Sequence, residues 1–182
     1  MTTIVFDTES TALLAPMAAS QEFQPYLVEL AAIKLDNNLT QIDKLHLRCK
    51  PRIPIPEEAI KIHGITNDDI KDCPAFISIY KNLCEFFLGC TTLVGHNVNY
   101  DRSIIYWELF RLGKSIQFPW PMNHVCTAEI SSQMQGFRLT LQDLHLQLFG
   151  EIFYGAHSAQ IDCEITAKCY RKLVEMQMVK EW

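Results

Sequence analysis

Apolar and polar positions along the chain fall into short, separable patterns. Thr3 to Phe6 is a β-branched and aromatic run of the kind that forms a buried strand. Tyr26 to Leu35 (YLVELAAIKL) reads as a second strand, and Asp36-Asn37-Asn38 behind it is turn chemistry. Leu45 to Lys50 alternates strictly between apolar and polar, the period of two of a half-buried antiparallel strand. The chain therefore opens as a three-stranded meander.

Pro51 to Pro56 interrupts that pattern and allows a short helix, with Pro56 at its first position and Gly64 as its stop. Asp72 and Pro74 open a longer helix in which Phe76, Ile79, Tyr80, Leu83, Phe86 and Phe87 recur at helical spacing, ended by Gly89. Thr91 to Val94 is a fourth strand. Ile104, Ile105, Leu109 and Leu112 mark a third helix stopped by Gly113, and Val125 lies in a short fifth strand. Thr140 to Asp143 is a capping box, with Leu139 and Leu144 at the staple positions, and Gly150 ends that helix. The last helix runs from about Ser158 to near Met178, with Ile161, Ile165, Cys169 and Leu173 on one face. The order β-β-β-α-β-α-β-α-α predicts an α/β fold, a mixed sheet with helices on its faces.

Composition narrows the class. The 182 residues suit a single domain, 1–182, and 48% hydrophobic residues with 7 glycines and 8 prolines exclude a disordered or fibrous chain. No apolar run approaches the ~18–20 residues that span a bilayer, and the start MTTIVFDTES lacks the basic opening of a signal peptide. The 7 cysteines are scattered without a CxxC pair, which argues against a disulfide framework or a zinc site and for a reducing cytoplasm. A net charge of −5 disfavours nucleic-acid binding by charge attraction alone.

Several acids stand where burial is expected. Asp7 and Glu9 end the first strand and, two apart in extended chain, share a face. Side by side they repel, so one keeps its proton unless a cation lies between them; a solvated strand end would carry the same pair. Asp101 is three and four residues before Ile104 and Ile105, on the apolar side of a helix, where a lone acid is costly unless paired or ligating; a first-turn acid favoured by the helix dipole fits equally. Asp162 intrudes on the apolar face of the last helix, with His157 five residues earlier, at the helix entry. Oxygen ligands gathered from these positions would suit Mg²⁺ or Mn²⁺. Two such ions stabilise attacking and leaving oxygens in phosphoryl displacement, and a nearby histidine is a natural base for the attacking water.

These residues sit in segments that carry a family likeness. FDTEST at 6–11, IKIHGIT at 60–66, LVGHNVNYD at 93–101 and HSAQID at 157–162 follow one another in the order of the motifs of the DEDDh 3′–5′ exonucleases, the group with polymerase proofreading subunits and ribonuclease T. The chain resembles that family over nearly its whole length. Tyr100 stands where the family usually has Phe, and Ala12 where it usually has Gly, ahead of a rather long stretch to Tyr26.

The resemblance implies a ribonuclease H-like fold with a five-stranded mixed sheet. It implies that Asp7, Glu9, Asp101 and Asp162 bind two Mg²⁺ or Mn²⁺ ions and that His157 deprotonates the water. Ser10, Thr11 and Leu13 would meet the 3′-terminal nucleotide, Leu13 as a wedge against its base. His63, His96 and Asn97 would be structural supports. The substrate would be a single-stranded DNA or RNA 3′ end, DNA favoured, released as nucleoside 5′-monophosphates. Two divalent ions would bring the net charge from −5 to −1. A polymerase partner and a homodimer are compatible with the family; a membrane is not expected. The competing readings are a catalytically weak module that holds 3′ ends for a partner enzyme, and an unrelated α/β enzyme. The latter lacks a signature, since neither G-x-x-x-x-G-K-[ST], G-x-G-x-x-G nor G-x-S-x-G occurs. Arg48, Lys50 and Arg52 read as a solvated edge that discourages sheet pairing.

Overall fold

The computed structural model describes residues 2–179. Five strands form one sheet: β1 (Thr3–Ser10), β2 (Leu27–Leu35), β3 (Gln41–Arg48), β4 (Thr92–Gly95) and β5 (Asn123–Cys126). They lie in the order β3-β2-β1-β4-β5. β1 pairs antiparallel with β2, which pairs antiparallel with β3; β4 runs parallel to β1, and β5 parallel to β4. The expected α/β architecture with a mixed sheet is therefore what the chain forms. β1 and β2, central and apolar, are buried almost throughout, while β3 is a mostly exposed edge.

Among the described residues a 3-10 turn (Gln21–Phe23) and six α-helices complete the fold: α1 (Glu57–His63), α2 (Phe76–Phe87), α3 (Val98–Arg111), α4 (Thr127–Gln135), α5 (Leu141–Phe149) and α6 (Ala159–Glu175). On one face Ile4 and Phe6 of β1 pack with Phe76, Leu83 and Phe87 of α2 and Ile104, Ile105 and Leu109 of α3. Phe87 is the hub, with edge-to-face contact to Phe6 at 6.2 Å and a tilted contact to Phe118 at 5.1 Å. On the other face Val5, Ala31 and Ile33 meet Cys163, Ala167 and Cys169 of α6, with Leu144 of α5 beside them.

Two elements depart from the sequence reading. β1 runs beyond the Thr3–Phe6 run and past its two acids to Ser10, because Asp7, Thr8 and Glu9 keep their register with β2, which shifts only between Glu9 and Ser10. α4 was not expected: TAEISSQMQ has no apolar periodicity, and the helix follows β5 without an intervening loop. The capping box, by contrast, forms as read, with Thr140 Oγ1 accepting from the Asp143 N–H at 3.1 Å.

Two local devices aim α3 at the end of β1. Asn97 adopts the left-handed φ of 80° at the helix start. At Gly95 a side-chain carbon would come 3.0 Å from the Val98 Cα, so only a glycine lets the helix begin this close to β4. At the far end of α3, Glu108 accepts the Leu27 N–H at 3.0 Å, while Arg111 donates to Gln24 O at 2.6 Å and Pro25 O at 3.0 Å. These contacts fix the end of the long segment between β1 and β2. Among the described residues, no helix is long and apolar enough to cross a membrane.

Candidate active site

Strand alternation puts Val5, Asp7 and Glu9 on the α6 side of the sheet. Asp162 lies in the first turn of α6. Carboxylate oxygens of Asp7, Glu9 and Asp162 come within 4.8 Å of one another. Burial of this group raises the Asp7 carboxyl well above the usual carboxylate range, reinforced by Asp101, Asp162, Glu9 and Glu29. Glu9 is pushed up to about 8, again by burial first and then by its acidic neighbours. Asp162 is raised by burial, although the His157 N–H, donated to its Oδ2 at 2.8 Å, pulls the other way. Its Oδ1 is buried with no hydrogen-bond partner. Three mutually repelling carboxylates with an unpartnered oxygen among them form a donor set that suits a hard divalent cation.

Asp101 approaches from the opposite face of the sheet. It is 4% exposed, and its Oδ1 accepts from both the backbone N–H of Thr8, at 3.0 Å, and the Thr8 hydroxyl, at 2.8 Å. Burial still pushes its carboxyl up to about 7, against those hydrogen bonds. Thr8, between the two acids of β1, thus tethers the fourth. Of the four expected ligands, three gather in one group and Asp101 stands beside it, anchored to the same strand.

His157 lies in the exposed stretch before α6, with a left-handed φ of 67°. Its backbone, not its ring, is what bonds Asp162. Ser10 and Thr11 are both buried. Ser10 Oγ donates to Ala12 O at 2.9 Å and lies 3.3 Å from Tyr100 Oη, while Thr11 Oγ1 accepts the Tyr26 N–H at 3.0 Å. Their hydroxyls therefore hold the chain in shape as it leaves β1. Leu13, 80% exposed, is free to meet a ligand. Two of the expected supports make hydrogen bonds through their rings. His96 bridges Thr127 Oγ1 at 2.9 Å and Leu139 O at 3.1 Å, and burial lowers its ring to about 4, keeping it neutral. His63 Nδ1 accepts the Ile65 N–H at 3.0 Å.

Glu29 is the residue that the sequence reading passed over. It faces Glu9 across β1 and β2 and is 1% exposed. One oxygen contacts His46 Nε2 at 3.0 Å and Arg48 Nε at 2.9 Å; the other accepts the Ala159 N–H, at the start of α6, at 2.9 Å. Though burial opposes it, these hydrogen bonds hold the Glu29 carboxyl below its ordinary range. Arg48 is exposed on the edge strand, as expected there, and is also the partner of this buried acid. The signal was available: an acid within the apolar strand LVELAAIKL breaks the pattern just as Asp7 and Asp162 do.

Residues 4–170 match the model of the exonuclease family. The chain belongs to that family. The likeness to the DEDDh exonucleases seen in the motifs is borne out. DNA polymerase III subunit epsilon of Pasteurella multocida is 28% identical over 169 residues, which cover 92% of this chain and 66% of that protein. The same subunit of Buchnera aphidicola subsp. Schizaphis graminum is 35% identical over 118 residues, 63% of this chain and 48% of that one. The chain thus spans about two thirds of the length of the first relative and about half of the second. Among solved structures, the nuclease domain of 3′hExo, a DEDDh family member bound to rAMP, matches with a TM-score of 0.76 and 15% identity, covering 96% of this chain and 92% of that one. Exonuclease I matches with a TM-score of 0.77 and 17% identity over 97% of this chain and 42% of that one. These likenesses show the ribonuclease H-like fold.

Proposed function

We propose that residues 1–182 act as one exonuclease domain, a metal-dependent 3′–5′ exonuclease on single-stranded nucleic acid that releases nucleoside 5′-monophosphates. The observation that carries this reading is the convergence of Asp7, Glu9 and Asp162 within 4.8 Å, with a buried Asp162 oxygen left unpartnered. Asp7, Glu9 and Asp162 would hold the divalent ions, with Asp101 beside them. Bound there, Mg²⁺ or Mn²⁺ would supply Lewis-acid stabilisation of the oxygens that gain charge during phosphoryl displacement.

The chain's own residues do the rest. Water attacks the terminal phosphorus, the bond to the 3′ oxygen of the preceding nucleotide breaks, and that oxygen takes a proton from solvent to become the new 3′ hydroxyl. The His157 imidazole takes the proton of the water. Leu13 meets the terminal base, and Ser10 and Thr11 hold the backbone that presents it. DNA is the preferred substrate and a polymerase a fitting partner, in line with relatives that carry the name DNA polymerase III subunit epsilon. Seven cysteines without disulfide pairing suit a reducing cytoplasm.

The test is a gel time course with 3′- and 5′-labelled DNA and RNA oligomers in Mg²⁺, Mn²⁺ or EDTA. A metal-dependent ladder shortening from the 3′ end is the expected result, faster on DNA. Oligomers that bind but stay whole would overturn it in favour of a 3′-end-binding module.

A further inference from the structure

The outer side of α3 and the segment between β1 and β2 enclose a groove that the chemistry above does not use. Its volume is about 340 Å³, and its walls include Met17, Asn99, Arg102, Ser103, Tyr106 and Trp120. Asn99, Arg102, Ser103 and Tyr106 follow the i, i+3, i+4, i+7 spacing, so they form one stripe along the helix. The stripe flanks Asp101, which points the other way, into the sheet. Met17 belongs to the same segment as Leu13.

The chemistry of the stripe is mixed in a particular way. Arg102 lies with its guanidinium carbon 5.3 Å from the centre of the Trp120 ring. The Tyr106 ring stands edge-on to Trp107 at 5.4 Å. Aromatic rings next to one cation, an amide and a hydroxyl match a ligand with flat π-faces joined by anionic links. A chain of net charge −5, with its acids gathered at the end of β1, repels such a ligand unless a cation stands on its path; Arg102, adjacent to Asp101 in sequence, supplies one.

We propose that this groove holds the single strand on the 5′ side of the scissile phosphate, with a base stacked against Tyr106 and a backbone phosphate on Arg102, which Trp120 holds in place. The proposal rests on the exonuclease reading and adds the route of the strand.

Fluorescence anisotropy with 5′-labelled octathymidylate and dithymidylate, in Ca²⁺, tests it with the full chain. Tyr106→Ala and Arg102→Gln are each expected to weaken octamer binding about tenfold, the worth of one stacked base or one charged contact. The dimer, which offers at most one nucleotide on the 5′ side of the scissile phosphate, is expected to lose much less, and Tyr106→Phe, which keeps the ring, to restore octamer binding. The ratio of kcat/KM for the octamer over that for thymidine 5′-monophosphate p-nitrophenyl ester falls by the same factor. Equal octamer affinity in all variants, or equal losses for octamer and dimer, would overturn the proposal. A wild-type chain that hydrolyses neither substrate overturns the exonuclease reading instead, and the anisotropy comparison still decides the groove.

Discussion

Glu29 and Ala159, 130 residues apart, are joined by a 2.9 Å hydrogen bond from the Ala159 N–H to the Glu29 carboxylate. The bond fastens the start of α6 to β2 directly opposite Glu9, and so sets where Asp162 falls. Glu29→Gln keeps the shape but offers one acceptor and one donor, and therefore cannot serve both Arg48 and the Ala159 N–H. Groups that orient metal ligands are worth roughly 10–100-fold in affinity. Calorimetric titration should show Mn²⁺ binding weakened by about that factor; an unchanged Kd would remove Glu29 from the support of the site.

His157 separates binding from turnover. Its link to Asp162 runs through the backbone, which His157→Ala retains. The variant should keep Mn²⁺ affinity within about threefold and lose about 10²–10⁴-fold in kcat, the usual worth of a general base. Loss of Mn²⁺ affinity would instead assign the ring to ligation.

The raised carboxyls make ion-free stability depend on pH in a definite direction. Glu9 at about 8 and Asp101 at about 7, with Asp7 and Asp162 also raised, keep protons that the unfolded chain releases near pH 4. Between about pH 5 and pH 8 the folded state binds more protons, so stability falls as pH rises through that window. Thermal melts in EDTA should show Tm decreasing from about pH 5 to about pH 8. Mn²⁺ should restore more at the higher pH, where the carboxylates are free to ligate, by roughly 2.7 kcal/mol at a hundredfold excess over Kd. Asp7→Asn should flatten the slope and erase most of the Mn²⁺ effect. A Tm in EDTA that rises over this window would contradict the clustering.

Thr8→Val removes the hydroxyl that holds Asp101 at 2.8 Å and leaves the backbone contact at 3.0 Å. Hydrogen bonds to charged groups are worth about 1.5–3 kcal/mol. The Asp101 carboxyl should rise further, and the acidic limb of the pH–rate profile should move to higher pH with it. An unmoved limb would show that Thr8 does not govern this carboxyl.

Much of this architecture could be read from the chain because its signals are local. The capping box at Thr140, the αL stop at Gly64 and the aromatic spacing of α2 depend on neighbours a few residues away. Asp7, Glu9, Asp101 and Asp162 stood out because each interrupts an apolar pattern. α4 escaped because its buried positions, Thr127, Ala128, Ile130 and Ser131, are mostly small or polar, so tertiary contact rather than apolar periodicity defines it. The pairing of Arg48 with Glu29 was hidden for a related reason: the two are on adjacent strands, and cross-strand pairing cannot be counted along a sequence. The groove beside α3 needed the three-dimensional approach of Met17 and Trp120 to that helix.

The alternation of β1 has an evolutionary corollary. Odd positions from Val5 to Glu9 serve α6 and the acids, and even positions from Ile4 to Thr8 serve the core and Asp101. One residue gained or lost in this strand would exchange the two sets, and two would slide the acids by roughly 6.6 Å. β1 can drift in identity but not in length. The segment from Ala12 to Pro25 belongs to no strand and its far end is pinned by Glu108 and Arg111, so a change of length within it leaves the register of β1 untouched. Lineages of this fold can therefore remodel the approach to the site by insertion while the spacing of its acids stays frozen.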